Sequence, residues 1–211
     1  MIAEYILTSV EEVLERLNSG EVYVEFEGTF DLYTALLARK ELRPQFFKNE
    51  IFCTMSYATT NHEILVSNII TELNIVYKRT DCRVLGSNRP LFVPKCAAWF
   101  EADASLLCGD EQSHLLKGTM TAVLNPKIIV EVHSESTRDY DYGRKLNCYK
   151  QMPSVQQIIY IESVGKPHVS LFTRTNKPNE WLNNDFEALH EAFPVNGGYV
   201  SMADLYDKIV F

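Results

Sequence analysis

N-P-K-I-I-V-E-V-H-S-E-S-T-R-D-Y-D-Y-G-R-K-L-N-C-Y, Asn125 to Tyr149, decides the fold. Lys127 to His133 is a short apolar run that follows Asn-Pro and stops at Ser134, the pattern of a buried strand rather than a helix. Glu131 is its anomaly. An unpaired buried carboxylate costs several kcal/mol or more, so Glu131 needs a cation, a set of hydrogen bonds or a raised pKa. Ser134, Ser136 and Thr137 offer hydroxyls as caps or as a phosphate-holding loop, and capping is the plainer reading. From about Arg138 the pattern turns helical, with Asp141, Lys145 and Tyr149 at i, i+4 and i+8 on one face. A helix that follows a strand packs back on the sheet, which points this Asp and Lys toward the end of the Glu131 strand.

Upstream, A-A-W-F-E-A-D-A-S-L-L-C, Ala97 to Cys108, reads as one apolar strand with Asp103 inside it, ending at the Gly109-Asp110 turn. Two strands, each carrying an acid in an apolar setting, are hard to explain separately. A shared divalent cation resolves both.

The 211 residues are 46% hydrophobic and 23% charged, the balance of one globular domain with a full core and a small N-terminal addition. No apolar run is long enough to cross a bilayer, and Met1 to Arg16 lacks a signal-peptide pattern, so a cytoplasmic protein without membrane association is expected. Five widely spaced cysteines, Cys53, Cys82, Cys96, Cys108 and Cys148, include no Cys-x-x-Cys pair, and neither a disulfide framework nor a zinc ribbon follows from them. They read as small buried hydrophobes. The net charge of -8 argues against a general nucleic-acid binder. Residues 1–50 alone hold ten acids against five bases. Lys78 to Lys95 reverses the balance with five bases against Asp81, which is either a phosphate-contacting strip or a solvated hairpin edge.

Thr8 or Ser9 with Glu11 or Glu12 opens a helix that Gly20 closes, and Val22, Val24 and Phe26 alternate as a strand before a helical segment at Phe30 to Lys40. A hairpin turns at Lys48-Asn49. Thr59 to Asn61 then cap a long amphipathic helix with Ile64, Leu65, Asn68, Ile69, Leu73 and Val76 as its stripe. Short strands at Arg83 to Leu85 and Leu91 to Val93, a polar loop after Asp110, and a strand pair at Gln156 to Glu162 and His168 to Arg174 complete the order. A turn at Asn196-Gly197-Gly198 precedes a last helix from Ser201. The fold class is α/β: a mixed central sheet flanked by helices (45–211), with an N-terminal α+β extension (1–44) packed on it.

N-E-I-F-C-T-M-S with N-H-E-I-L in 49–65, E-A-D-A-S-L-L-C-G at 101–109, the 126–149 stretch, V-Q-Q-I-I-Y-I-E at 155–162 and the closing S-M-A-D-L-Y-D together resemble the PD-(D/E)XK nuclease superfamily, and within it the Uma-type restriction endonucleases. The resemblance covers roughly residues 45–211. It implies a restriction-endonuclease-like core that cleaves DNA phosphodiesters with Mg²⁺ or Mn²⁺. Asp103, Glu131 and the backbone carbonyl of Val132 would hold the ion. The superfamily pattern has a lysine two residues after the Glu, where this chain has His133, so the resemblance passes that role to Lys145, held by Asp141. Ala102 stands where proline is usual. His62 and Glu50 are outer candidates, although a helix N-terminal residue and an exposed hairpin acid are equally ordinary readings. His133 shares the side of Glu131 by the two-residue period and serves as a ligand, a lysine substitute or a hydrogen-bonded structural histidine. Two other functions stay open: a nuclease scaffold that binds or regulates without turnover, and a hydrolase of small phosphoesters or nucleotides. A duplex cutter needs two sites, which makes a homodimer the expected assembly.

Overall fold

The structure, a computed structural model, describes residues 9–133 and 138–211. Ser134, Ser136 and Thr137, the hydroxyl cluster after the Glu131 strand, lie outside the described residues. Helix α1 (Val10–Asn18) opens with a capping box in which Ser9 and Glu12 each accept the other's backbone N–H. Strand β1 (Tyr23–Glu27), helix α2 (Phe30–Leu37) and the hairpin β2 (Leu42–Phe47) and β3 (Glu50–Met55) follow. Lys48 and Asn49 both take positive φ at the hairpin turn, the geometry a two-residue connection demands. The 44/45 division falls inside β2, and β1 pairs along its whole length with β3.

Helix α3 (Thr60–Val76) is capped by Thr59, whose hydroxyl accepts from His62 N, and it buries Leu65, Ile69 and Leu73. Strands β4 (Cys82–Gly86), β5 (Leu91–Val93), β6 (Ala98–Phe100) and β7 (Ala104–Cys108) come next, then a hairpin β8 (Ser113–Lys117) and β9 (Met120–Val123). That hairpin replaces the polar loop expected there. Strand β10 (Ile128–His133) leads into one continuous helical rod made of α4 (Arg138–Tyr140), a π-helical stretch (Asp141–Lys145) and α5 (Leu146–Tyr149). The chain closes with β11 (Gln157–Glu162), β12 (Val169–Arg174), β13 (Trp181–Phe186), the pair β14 (Ala192–Val195) and β15 (Gly198–Ser201), and α6 (Met202–Leu205) capped by Ser201.

Two large sheets result. One has the order β1-β3-β2-β6-β5-β9-β8 and the other β13-β12-β11-β10-β7-β4. In the second, β10 runs parallel to β11 and antiparallel to β7, so it is mixed and has the two acid-bearing segments side by side. One face of β10, through Ile128, Val130 and Val132, packs with α3, β14, β15 and α6; the other carries Ile129 and packs with Leu146, Cys148 and Tyr149 of the rod. A third cluster sits between α1, α2 and the first sheet. Ile69 is fully buried in the α3 core, and its exchange for Ala should cost about 2–5 kcal/mol, read as a lower denaturant midpoint with an unchanged slope. No helix among the described residues is long and apolar enough to cross a membrane.

Two expectations are corrected. The apolar run from Ala97 to Cys108 is not one strand: β6 belongs to the first sheet and β7 to the second, with Glu101, Ala102 and Asp103 carrying the chain between them. The cysteines are not all isolated hydrophobes either. Cys82 is disulfide-bonded to Cys108 and Cys96 to Cys148, leaving Cys53 free and buried. The pairs span 26 and 52 residues of sequence and meet only because β4 pairs with β7 and the rod packs on the turn before β6. Linear spacing carries no trace of either.

Candidate active site

Glu131 is 3% exposed, and its side chain emerges on the rod face of β10. Lys145 Nζ lies 3.1 Å from Glu131 Oε1, and the Tyr149 hydroxyl donates to the same oxygen at 2.6 Å. The same ammonium lies 3.0 Å from Asp141 Oδ1, while Asp141 Oδ2 is 3.1 Å from His133 Nδ1. A continuous chain therefore runs His133, Asp141, Lys145, Glu131, Tyr149, all buried. Among the described residues both hydrogen bonds to Glu131 fall on Oε1, so Oε2 is the oxygen left for a ligand.

The rod can aim these groups because it is wound loosely at Asp141 to Lys145. Leu146 N–H reaches back five residues to Asp141 O, and that carbonyl also accepts from the Tyr160 hydroxyl at 2.8 Å. The far end of the rod is fixed as well: Arg174 donates to the carbonyls of Lys150, Met152 and Val155, and Cys148 is bonded to Cys96. On the outer side, Arg144 bonds Glu25 and Glu50, each at 2.5 Å, and tethers the rod to β1 and β3.

Asp103 stands at the other wall. The pairing of β10 with β7 ends at Val130 and Ala104, and beyond it Val132 N–H donates to Asp103 Oδ2 at 2.7 Å. His62 Nε2, in the first turn of α3, is 3.4 Å from the same oxygen, and Arg43 Nη1 from β2 is 3.8 Å from Oδ1. These groups surround one cavity of about 350 Å³ lined by residues of both large sheets, α3 and the rod.

Asp103, Glu131, Val132, Asp141, Lys145 and His62 all line that cavity. His133 does not; it is fully buried, stacked on Tyr142 and edge-on to Tyr160, and reaches the site only through Asp141. Glu50 does not line it either, because its carboxylate is engaged with Arg144 on the outer side of the rod. The sequence reading missed Arg43, Gln45, Glu101 and Tyr140 as lining residues. For Glu101 a signal was present. It precedes Asp103 by two, as His133 follows Glu131 by two, but an acid at a strand entrance is too ordinary to single out. Arg43 and Gln45 lie on β2, remote in sequence and adjacent only through the sheet.

The electrostatics are those of a site short of positive charge. Glu101, Asp103, Glu131 and Asp141 face Arg43 and Lys145. Burial pushes Glu131 up to about 8, against the pull of Lys145 and the Tyr149 hydroxyl, and the charges of Asp141 and Asp103 push it the same way. Burial also raises Glu101, partly offset by Arg43 and Lys145. Burial opposes ionisation of Asp141, yet Lys145 and His133 hold it below the usual carboxylate range. Lys145, although buried, is kept charged by Asp141, Glu131 and Asp103. His62 is raised, its burial outweighed by the Asp103 carboxylate. A hard divalent ion takes carboxylate and carbonyl oxygens, and an excess of partly compensated buried carboxylates around one cavity is what such an ion would neutralise. Asp103, Glu131 and Val132 fit that group. Among the described residues, the group of three His, Cys, Asp or Glu side chains whose ligand atoms come together is Asp81 with Cys82 and Cys108, and both its sulfurs are in a disulfide; Asp103 and Glu131 belong to no such group of three.

Residues 30–197 match a family model, Uma2, described as "Putative restriction endonuclease". Two proteins of Synechocystis sp. are similar. One, "Uncharacterized protein sll1609", is 24% identical over 120 residues, covering 57% of this chain and 66% of its own length. The second, "Uncharacterized protein slr1290", is 22% identical over 150 residues, 71% of this chain and 75% of its own. Among solved structures, a putative nuclease of the DUF820 group from Anabaena variabilis superposes with a TM-score of 0.66 at 16% identity, covering 86% of this chain and 99% of that one. At that identity the likeness establishes the shared fold.

Proposed function

The chain belongs to the Uma2 family of restriction-endonuclease-like proteins, and from that premise we propose that it hydrolyses DNA phosphodiester bonds with Mg²⁺ or Mn²⁺ held by Asp103, Glu131 and the Val132 carbonyl. One observation carries the reading: an acid from the seam between two sheets, an acid from the middle of a strand and an ammonium from a helix line a single cavity.

When bound, the ion supplies a hard Lewis acid that polarises the scissile phosphate and makes water a better nucleophile. The residues do the rest. Lys145 and Tyr149 fix Glu131 through Oε1 and present Oε2 to the cavity. Val132 N–H fixes Asp103 through Oδ2. Lys145 is a preorganised cation for the negative charge that builds on the phosphate as water adds and the P–O bond to the leaving oxygen breaks. Asp141, itself gripped by His133, keeps that ammonium from swinging away. His133 thus acts by positioning, and Lys145 supplies the charge that the superfamily pattern places two residues after the Glu.

Calorimetry with Mg²⁺ or Mn²⁺ should give a saturable heat for the wild type and none for Asp103→Asn. The affinity should rise with pH toward about 8, since below that value an ion must displace the proton that burial holds on Glu131. DNA, assayed as circular single strands and as duplex, should be cut in the presence of the ion in at least one form and spared in chelator. Wild-type protein that binds no ion and cuts neither DNA would overturn the proposal. A second reading, hydrolysis of a small phosphoester or nucleotide, draws support from the modest volume of the cavity and the net charge of -8. Release of inorganic phosphate from mononucleotides, with DNA left intact, would favour it.

A further inference from the structure

Hydrolysis leaves one wall of the cavity without a task. Tyr57, in the loop between β3 and α3, lines the cavity yet is 82% exposed, and no ring contact among the described residues includes it. Val22, 62% exposed, and Met55 line it too. The β1–β3 register ends with Tyr23 opposite Thr54; Val22 is the next residue on one side and Met55 on the other, with Tyr57 two residues beyond Met55. Arg43 is paired with the same Thr54 from the other side, on β2. A flat exposed ring, two apolar side chains and a guanidinium are therefore gathered at one end of three adjacent strands, with Arg43 3.8 Å from the Asp103 carboxylate.

That combination matches a nucleotide. A planar base stacks on an unpartnered tyrosine, and a phosphate one position from the reacting one pairs with a guanidinium. Duplex DNA fits poorly for two reasons. In a duplex both faces of each base are already stacked, so a base could reach Tyr57 only after it was pulled out of the helix. Tracking two strands also needs a basic surface, whereas among the described residues that line the cavity only Arg43 and Lys145 are permanent cations.

We infer that the substrate enters as a single-stranded nucleic-acid segment, the base beside the reacting phosphate stacked on Tyr57 and a neighbouring phosphate held by Arg43. This rests on the phosphodiesterase reading above and narrows its substrate class. Tyr57 and Arg43 are binding residues here, and Lys145, Glu131 and Asp103 remain the reacting centre.

The test is equilibrium binding of the full chain to a 2-aminopurine oligonucleotide, single-stranded and as its blunt duplex, with Ca²⁺ as the divalent ion. The single strand should bind about tenfold more tightly and its fluorescence should be quenched. Tyr57→Ala should lose about tenfold of that affinity together with the quench, and Tyr57→Phe should retain both. Arg43→Gln should weaken binding and reduce the slope of log affinity against log salt by about one phosphate contact. Equal affinity for the two forms, or a Tyr57→Ala protein that binds and quenches like the parent, overturns the inference. If duplex DNA is cut in the presence of Mg²⁺ while this binding pattern fails, the inference falls and the phosphodiesterase reading stands. Correct binding with no cleavage of any DNA overturns the phosphodiesterase reading, and with it the inference as a statement about substrate, and leaves Tyr57 and Arg43 a single-strand binding site.

Discussion

Glu131→Gln should lower divalent-ion-dependent DNA cleavage by about 10³-fold or more while the protein stays folded. Several kcal/mol of transition-state charge stabilisation depend on the ion, and an amide is a much weaker ligand than a carboxylate. The amide is nearly isosteric and keeps an oxygen for Lys145 Nζ and the Tyr149 hydroxyl, both of which bond Oε1 in the parent. Stability supplies a second readout that does not depend on turnover. In the metal-free parent, burial raises Glu131 from 4.5 to about 8, so the folded state holds a proton that the unfolded chain releases. This group's contribution is complete below about 4.5 and is lost as pH rises through about 8, so the parent should weaken along that interval. Denaturant midpoints measured across it should slope less in Glu131→Gln, and divalent ion should restore the parent at the upper end. A variant that cuts like the parent would remove Glu131 from the site.

Lys145→Met should be the most destabilising change in the site. The substitution preserves length and removes the charge that lies 3.1 Å from Glu131 and 3.0 Å from Asp141, leaving two buried carboxylates without their cation. Breaking a buried pair on one side costs about 3–5 kcal/mol, and in a chain of this size that is a fall in Tm of roughly 10 °C. The loss should shrink as pH falls through about 8, where Glu131 of the parent takes up a proton and gains less from the cation; without Lys145, which pulls this group down, the variant keeps the proton to higher pH. Adding Glu131→Gln should recover part of it, so the double variant should be less damaged than the sum of the single ones. Strict additivity would show that the two side chains act independently, contrary to the geometry.

The readings that succeeded rest on local conflicts between polarity and setting. Glu131 within K-I-I-V-E-V-H could be read because six consecutive buried positions leave a carboxylate no exit. The Lys48-Asn49 turn, the Thr59 cap and the Asp141/Lys145 spacing were equally local. What escaped is set by partners distant in sequence. Ser113–Lys117 buries only Leu116, and Trp181–Phe186 buries nothing, so neither shows a period; each is a strand because a neighbour offers backbone hydrogen bonds. The division of 97–108 between two sheets is invisible for the same reason: both halves are apolar, and only the pairing of β6 with β5 and β2, and of β7 with β10 and β4, separates them. In the site, the acids and the lysine on apolar elements were legible. Arg43 and Tyr57 were not, since what brings them to the cavity is the pairing of β2 with β3 and the course of the loop after β3, neither of which is local.

The loosely wound turn at Asp141 to Lys145 gives the rod one residue more than an ordinary helix would need to span the same rise. Were the same residues wound as an ordinary helix throughout, everything beyond the turn would be rotated by about 100° relative to what precedes it. Tyr140 and Asp141 would then look one way and Tyr149 another. The winding of this short interval thus works as an aiming device, separable from the length of the helix that carries it.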